Sequence, residues 1–189
     1  LKVEKGSYGY RKVYKKRQGA MIFIFLVAIL AQVIASKLVA SQNFSRILIV
    51  MSILTVLPMA NLASPFLATF RYQTPSQEEM KKILAFSDRG ELLFDLVVTM
   101  REQIMPLDYV MIVPGYALCY MPNTKAKVDV GREFLEKNFK DNGASCKISI
   151  YKDWKDYLRA LDKLSIYAKE QGSDRKIEKM KELFLSLSV

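Results

Sequence analysis

The sequence predicts an α/β protein: a two-helix transmembrane hairpin followed by a cytoplasmic domain with the element order α-β-β-β-α-β-α-α. Three observations predict it. Two long runs, Gly19 to Ser36 and Ile47 to Phe70, contain no charged residue. Lys and Arg crowd the outer flanks of those runs rather than the loop between them. After residue 74, capping residues, β-type runs and turn dipeptides alternate as in a layered α/β domain.

Charge is unevenly spread. The formal net charge is +10, yet the first 18 residues hold seven Lys/Arg against one acid. Residues 71–189 hold 20 basic and 18 acidic residues and are nearly neutral. A positive surface for nucleic acid would need the excess on the folded domain. Here it flanks the apolar runs instead. The chain of 189 residues has room for one modest domain beside a hairpin.

The element-by-element reading starts with a basic N-terminal segment, 1–18. Leu1 at the first position is the pattern of a trimmed chain or of a UUG start read literally, and the second would make the gene bacterial. The cluster Arg11, Lys12, Lys15, Lys16 and Arg17 is placed against anionic lipid headgroups. The hairpin follows over 19–71. About 20 mostly apolar residues span a bilayer core, and Lys37 is able to snorkel at the end of the first run. A basic start also suits a signal peptide, but the apolar run is long and a second one follows at once. The Lys/Arg bias puts both termini in the cytoplasm. Ala31 and Ala35 on one helix, and Ala60, Ser64 and Ala68 on the other, form small-residue rows that let backbones approach. Pro58 and Pro65 are expected to kink the second helix. Gln32 and Asn61 are expected to hydrogen-bond at depth.

The cytoplasmic domain is expected over 72–189, with 73–189 able to fold alone. Thr74 is expected to cap a first helix, with Pro75 at its first position and Glu78 and Glu79 in its first turn. Strands are expected over 91–99, 107–113 and 116–121, with "REQIMP" as the turn between the first two and Pro114-Gly115 between the next. A helix over 130–142 stops at Gly143. A fourth strand covers 146–151. Asp153 caps a helix with an apolar stripe of Trp154, Tyr157, Leu158, Leu161 and Leu164. Ser173 caps a last helix whose inward residues are Ile177, Met180, Phe184 and Leu187.

The stretch "LDYVMIVPGYALCYMPN", 107–123, opens on a carboxylate and crosses a Pro-Gly turn. With the element order α-β-β-β-α-β it resembles the nuclease-related domain family of the restriction-endonuclease-like superfamily. The resemblance covers roughly 75–152. It implies an Asp opening one strand and a Glu-x-Lys ending the next, the carboxylates holding a divalent metal and the Lys steadying phosphate. Asp108 matches the Asp. The Glu and Lys positions fall on Met121 and Asn123, so the pair is absent. Lys125 lies two residues beyond, and Asp95 sits mid-strand, facing either a metal or solvent. Asp108, Asp95 and Lys125 are therefore the candidate degenerate site, and the plainer reading of Asp108 is a strand cap or a partner for a lysine.

Other chemistry is restricted. The chain has no histidine, which removes His triads and His–metal sites. It has no phosphate-cradling glycine loop. Cys119 and Cys146 are expected as reduced core residues. Tyr109, Tyr116 and Tyr120 have the spacing of ordinary sheet residues, with base stacking as the alternative. No catalytic residue, metal or cofactor is expected. The expected partners are membrane lipids and a protein partner or a second copy. The leading expectation is a non-catalytic scaffold or accessory subunit, and the alternative is a membrane-tethered nucleic-acid-binding or degenerate nuclease-like protein.

Overall fold

A computed structural model of the chain describes residues 3–122, 125–164 and 173–189. Asn123 and the Ser173 side chain, both named above, lie outside the described residues. The chain forms two compact units. One is Lys12–Arg71, and the other joins the chain up to Arg11 with Tyr72–Val189. The start of the chain up to Arg11 therefore packs with the α/β domain.

The first unit is a pair of long apolar helices, α1 (Tyr10–Leu38) and α2 (Gln42–Phe70), with residues 39–41 between them. The first two residues of α1, Tyr10 and Arg11, belong to the other unit. Each helix is long and apolar enough to cross a membrane. A core helix passes the same test of length and composition, but only 6% of each apolar window is buried. The large side chains point outward: Phe23 is 64% exposed, Ile24 65% and Leu30 53%. Ser36, Ser52 and Thr69 are the buried residues instead. Small side chains at the seam let the helices approach; a Cβ added to Gly19 would lie 3.6 Å from the Phe66 ring. Gln32 accepts from the Thr55 hydroxyl at 3.3 Å, so its partner across the pair is Thr55. Pro58 and Pro65 lie inside α2 without ending it. Thr69 returns a hydroxyl to the Pro65 carbonyl at 3.1 Å.

The second unit follows the expected order. Helix α3 (Gln77–Leu84) precedes strands β1 (Glu91–Thr99), β2 (Ile104–Val113) and β3 (Tyr116–Tyr120). Helix α4 (Val128–Asp141), strand β4 (Lys147–Tyr151) and helices α5 (Trp154–Asp162) and α6 (Ser173–Leu187) complete it. The sheet order is β1-β2-β3-β4. The first three strands pair antiparallel, and β4 runs parallel to β3, as a helical crossover between them requires. One face of the sheet carries Leu107, Val110 and Ile112 against Leu135 and Phe139 of α4 and Met180 and Phe184 of α6. The other carries Tyr109, Met111 and Leu118 against Ile83 of α3 and Tyr157 and Leu161 of α5. The sheet is thus covered on both faces, and β2 is buried along almost its whole length.

Two local expectations change. Ile104, Met105 and Pro106 belong to β2 rather than to a turn, and Met100 N–H to the Gln103 carbonyl closes the shorter turn. Proline usually avoids central strands because it lacks an N–H. Pro106 is tolerated because β3 pairs only with Tyr109–Val113, so no neighbour on that side needs its donor. The cap of α3 is Ser76, not Thr74: the Ser76 hydroxyl accepts from Glu79 N–H, and Glu79 reaches back to Ser76 N–H. Asp153 caps α5 as expected, accepting from Lys155 and Asp156 N–H.

Candidate functional site

The most unusual chemistry in the domain lies where β1 and β2 both lose their alternation. Leu93 and Leu96 pack into the same core cluster, although they are three residues apart and a regular pleat would put them on opposite faces. Val110 and Leu107 do the same on β2. The shift occurs at Asp95 and Asp108. Phe94 pairs with Tyr109 and Leu96 with Leu107, so the two aspartates stand opposite each other. Asp95 has φ of 58°, a left-handed conformation that Asp tolerates better than most residues but that still costs energy in a strand.

The side chain between the aspartates comes from the segment before the first apolar run. Gly6 has φ of 87°, and its carbonyl accepts from Phe94 N–H at 2.8 Å on the edge of β1. An L side chain would be strained at that φ, and its Cβ would come within 2.9 Å of the Leu185 side chain. Tyr8 packs edge-on to Phe94 at 6.2 Å and donates to the Pro75 carbonyl at 2.8 Å. Gly9 N–H donates to Asp95 Oδ2 at 2.8 Å. The first turn of α1 then delivers Arg11.

Arg11 is 2% exposed. Its Nη1 donates to Asp108 Oδ1 at 2.8 Å and to the Gln73 carbonyl at 2.6 Å. Its Nη2 donates to the Leu96 carbonyl at 3.1 Å and the Leu107 carbonyl at 3.4 Å, the two residues beside the kinks. Its Nε lies 3.8 Å from Asp95 Oδ1. Thr74 donates to Asp95 Oδ2 at 3.1 Å, which is the role it has in place of the cap. The planar fork of guanidinium suits this work, since one point charge cannot serve four acceptors in different directions.

One cation therefore faces two carboxylates. Burial pushes Asp108 up to about 6; Arg11 opposes that shift, and Asp95 and Glu79 add to it. Burial also raises Asp95, against the pull of Arg11, the Thr74 hydroxyl and the Gly9 N–H.

The expected site residues fall as follows. Asp108 pairs with Arg11 rather than with a lysine or a strand end. Asp95, 1% exposed, is turned away from solvent to the Arg11 guanidinium and the Gly9 and Thr74 donors. Lys125 is exposed, and among the described residues it pairs with neither carboxylate. Met121, where the resemblance would place a Glu, is fully buried in the core cluster with α4 and α6. Arg11 leaves the basic cluster; Lys12, Lys16 and Arg17 remain exposed and Lys15 is half-buried. Among the described residues no group of three His, Cys, Asp or Glu is placed to hold a metal.

The aromatic residues near this centre pack on one another. Tyr109 is fully buried, with Tyr120 stacked at 6.0 Å and Trp154 at 5.7 Å. A fully buried ring offers no face to a base. Cys119 and Cys146 are buried thiols, and burial pushes Cys146 up to about 12, far from a thiolate. Beyond the end of β2 a cavity of about 300 Å³ is lined by Ser145, Lys176 and Lys179 among others, with no acid among the described lining residues.

The role of Arg11 does not show in the sequence because its partner lies 97 residues away. A signal was present: "KGSYGYR" places two glycines within a supposedly loose basic tail, where tight turns have no use unless the tail folds against something.

No family model matches the chain, and neither a curated protein nor a solved structure does.

Proposed function

We propose that the chain is a membrane-anchored, non-catalytic α/β module. Helices α1 and α2 cross the bilayer as a hairpin, both ends lie in the cytoplasm, and the domain serves as a scaffold or accessory subunit for a protein partner. One observation carries the reading: Arg11, just before the first apolar run, bonds both Asp108 and the carbonyl of Gln73, just after the second. Chain ends held in one packed unit are on one side of a bilayer, which requires an even number of crossings. The Lys/Arg-rich flanks make that side the cytoplasm. Exposed Lys12, Lys16 and Arg17 are then at headgroup level.

The non-catalytic part rests on what surrounds the acid of the nuclease-like stretch. Asp108 is tied to Arg11, and Met121 is core. The nuclease-like order is retained in this reading as architecture. A second reading, a membrane-tethered nucleic-acid-binding protein, rests on the strand order alone. Retention of the detergent-solubilised chain on DNA, lost on adding salt, would select it.

Cysteine labelling in intact membranes tests the topology. Ser7, Ala40 and Lys125 are exposed, and Cys119 and Cys146 are buried. Ser7→Cys and Lys125→Cys should react with an impermeant maleimide from the cytoplasmic side, and Ala40→Cys from the other. Cross-linking in membranes followed by mass spectrometry should then capture a protein on the domain; capture of lipid alone would remove the scaffold role.

A further inference from the structure

We propose that Arg11 is a topology latch: the domain keeps its closed form only when the segment preceding α1 lies on the same side of the membrane as residues 72–189. The inference rests on the two-span reading and adds a consequence to it.

Asp95 and Asp108 are 1% and 7% exposed, and they stand opposite each other on β1 and β2. Two such carboxylates without a cation repel each other and lack water to solvate them. Among the described residues, the only ion pairs either one makes are with Arg11. The same guanidinium donates to the carbonyls of Gln73, Leu96 and Leu107 beside the kinks. Removing it takes a donor from three carbonyls and leaves two charges without their cation.

The segment that carries Arg11 also finishes the sheet. β1 is an edge strand. The Gly6 carbonyl takes its Phe94 N–H, and the Val189 N–H takes its Val97 carbonyl. Lys5 reaches the Ser188 carbonyl, joining these two covers. An N-terminal segment left across the membrane would leave half of this edge open, and open edges invite pairing with other chains and attack by proteases. Wrong insertion of α1 is thereby converted into a domain that does not close. The residue is specific: a lysine at position 11 supplies charge but not the fork that binds on two sides.

The test uses the full chain in lipid nanodiscs, with limited proteolysis of the domain as the readout. Arg11→Met should raise the cleavage rate at least about 100-fold, in line with breaking a buried ion pair. Arg11→Lys should fall between. Adding Asp95→Asn and Asp108→Asn to Arg11→Met should recover most of the resistance, because the unpaired charges are gone. Same-side labelling of Ser7→Cys and Lys125→Cys, with Arg11→Met as resistant as the parent, overturns the latch alone. A triple variant no better than Arg11→Met overturns the charge account. Labelling of the two cysteines from opposite sides overturns the two-span reading.

Discussion

The helical pair and the α/β domain use the same apolar side chains in opposite ways. In the domain, Leu, Ile, Val and Phe fill the interior, and the buried charges gather around Arg11. In the helical pair, Phe23, Ile24 and Leu30 face outward while Ser36, Ser52 and Thr69 are hidden. Water drives the first arrangement, since exposed apolar surface is costly there. The second fits surroundings as apolar as the side chains, the membrane proposed above, where small residues at the seam gain by close contact. The inside of one unit is chemically the outside of the other.

Placing a carboxylate on each of these equivalent surfaces is the strongest way to break the comparison. Met121 is fully buried, so Met121→Glu puts an unpaired acid in the domain core. It should cost about 3–5 kcal/mol in chemical denaturation. Under the resemblance proposed for 107–123, this position would carry a Glu, so the variant should be assayed with Mg²⁺ on DNA and RNA. No cleavage is expected; metal-dependent cleavage would bring the resemblance back as chemistry.

The matching change in the helical pair is Leu30→Asp. Leu30 is 53% exposed, and in water an exposed substitution of this kind shifts stability by about 0.5 kcal/mol or less. In a bilayer the same acid near the middle of a span costs about 2.5–3.5 kcal/mol. The expected outcome is loss of the chain from the alkali-resistant membrane fraction. A variant that stays in that fraction at the parental level would mean that this face of α1 does not meet lipid.

The two units also differ in how far the sequence reveals them. The helical pair was legible because a long run without a single charge has little use in a chain folded entirely in water. In the domain, β1 matched its expected ends at Glu91 and Thr99, since β-branched and apolar density is a local signal. The stripe of α5 was legible for the same reason. Pro106 hid the start of β2, because a rule about central strands depends on where the neighbouring strand ends. Thr74 concealed Ser76, although "SQEE" carries the spacing of a capping box. The charge centre was hardest. Asp108 stands out at the head of a strand, yet its partner lies in a basic tail whose positive charge reads in sequence as a flank of the apolar run. Periodicity reports which face is buried, and it says nothing about which distant cation neutralises a buried acid.

The pH response of that centre gives the next, smaller effect. Asp108 is pushed up to about 6 from an ordinary value of 3.8, chiefly by burial, with Arg11 opposing. Between those values the folded state holds a proton that the unfolded chain has lost. Stability from this group is therefore present at low pH and falls as pH rises through the window. The loss should reach up to about 3 kcal/mol by neutral pH. Denaturation midpoints of the parent and of Asp108→Asn should diverge between about pH 4 and pH 6, with the flatter curve in the variant. Parallel curves would mean that Asp108 stays ionised beside Arg11 throughout. The helical pair carries no acid in its apolar runs and should add nothing to this slope.

The smallest effect separates two neighbouring hydroxyls that sequence reasoning exchanged. Ser76 and Thr74 both precede α3, and either could supply its first hydrogen bond. The Ser76 hydroxyl accepts from Glu79 N–H at 3.2 Å, and the Thr74 hydroxyl is turned to Asp95. Ser76→Ala removes an acceptor for one of the unpaired N–H groups that open every helix. It should lower stability by about 1 kcal/mol. The loss is limited because α3 has eight residues and fully buries Ile83, which anchors the helix to the sheet whatever its cap. Thr74→Ser keeps the hydroxyl that Asp95 needs and should leave the denaturation midpoint within experimental scatter. If Thr74→Ser instead costs as much as Ser76→Ala, the methyl group of Thr74 is part of the packing around Asp95. If Ser76→Ala is silent, α3 begins elsewhere in solution and the cap reverts to Thr74, which would loosen one of the donors that hold Asp95 opposite Asp108.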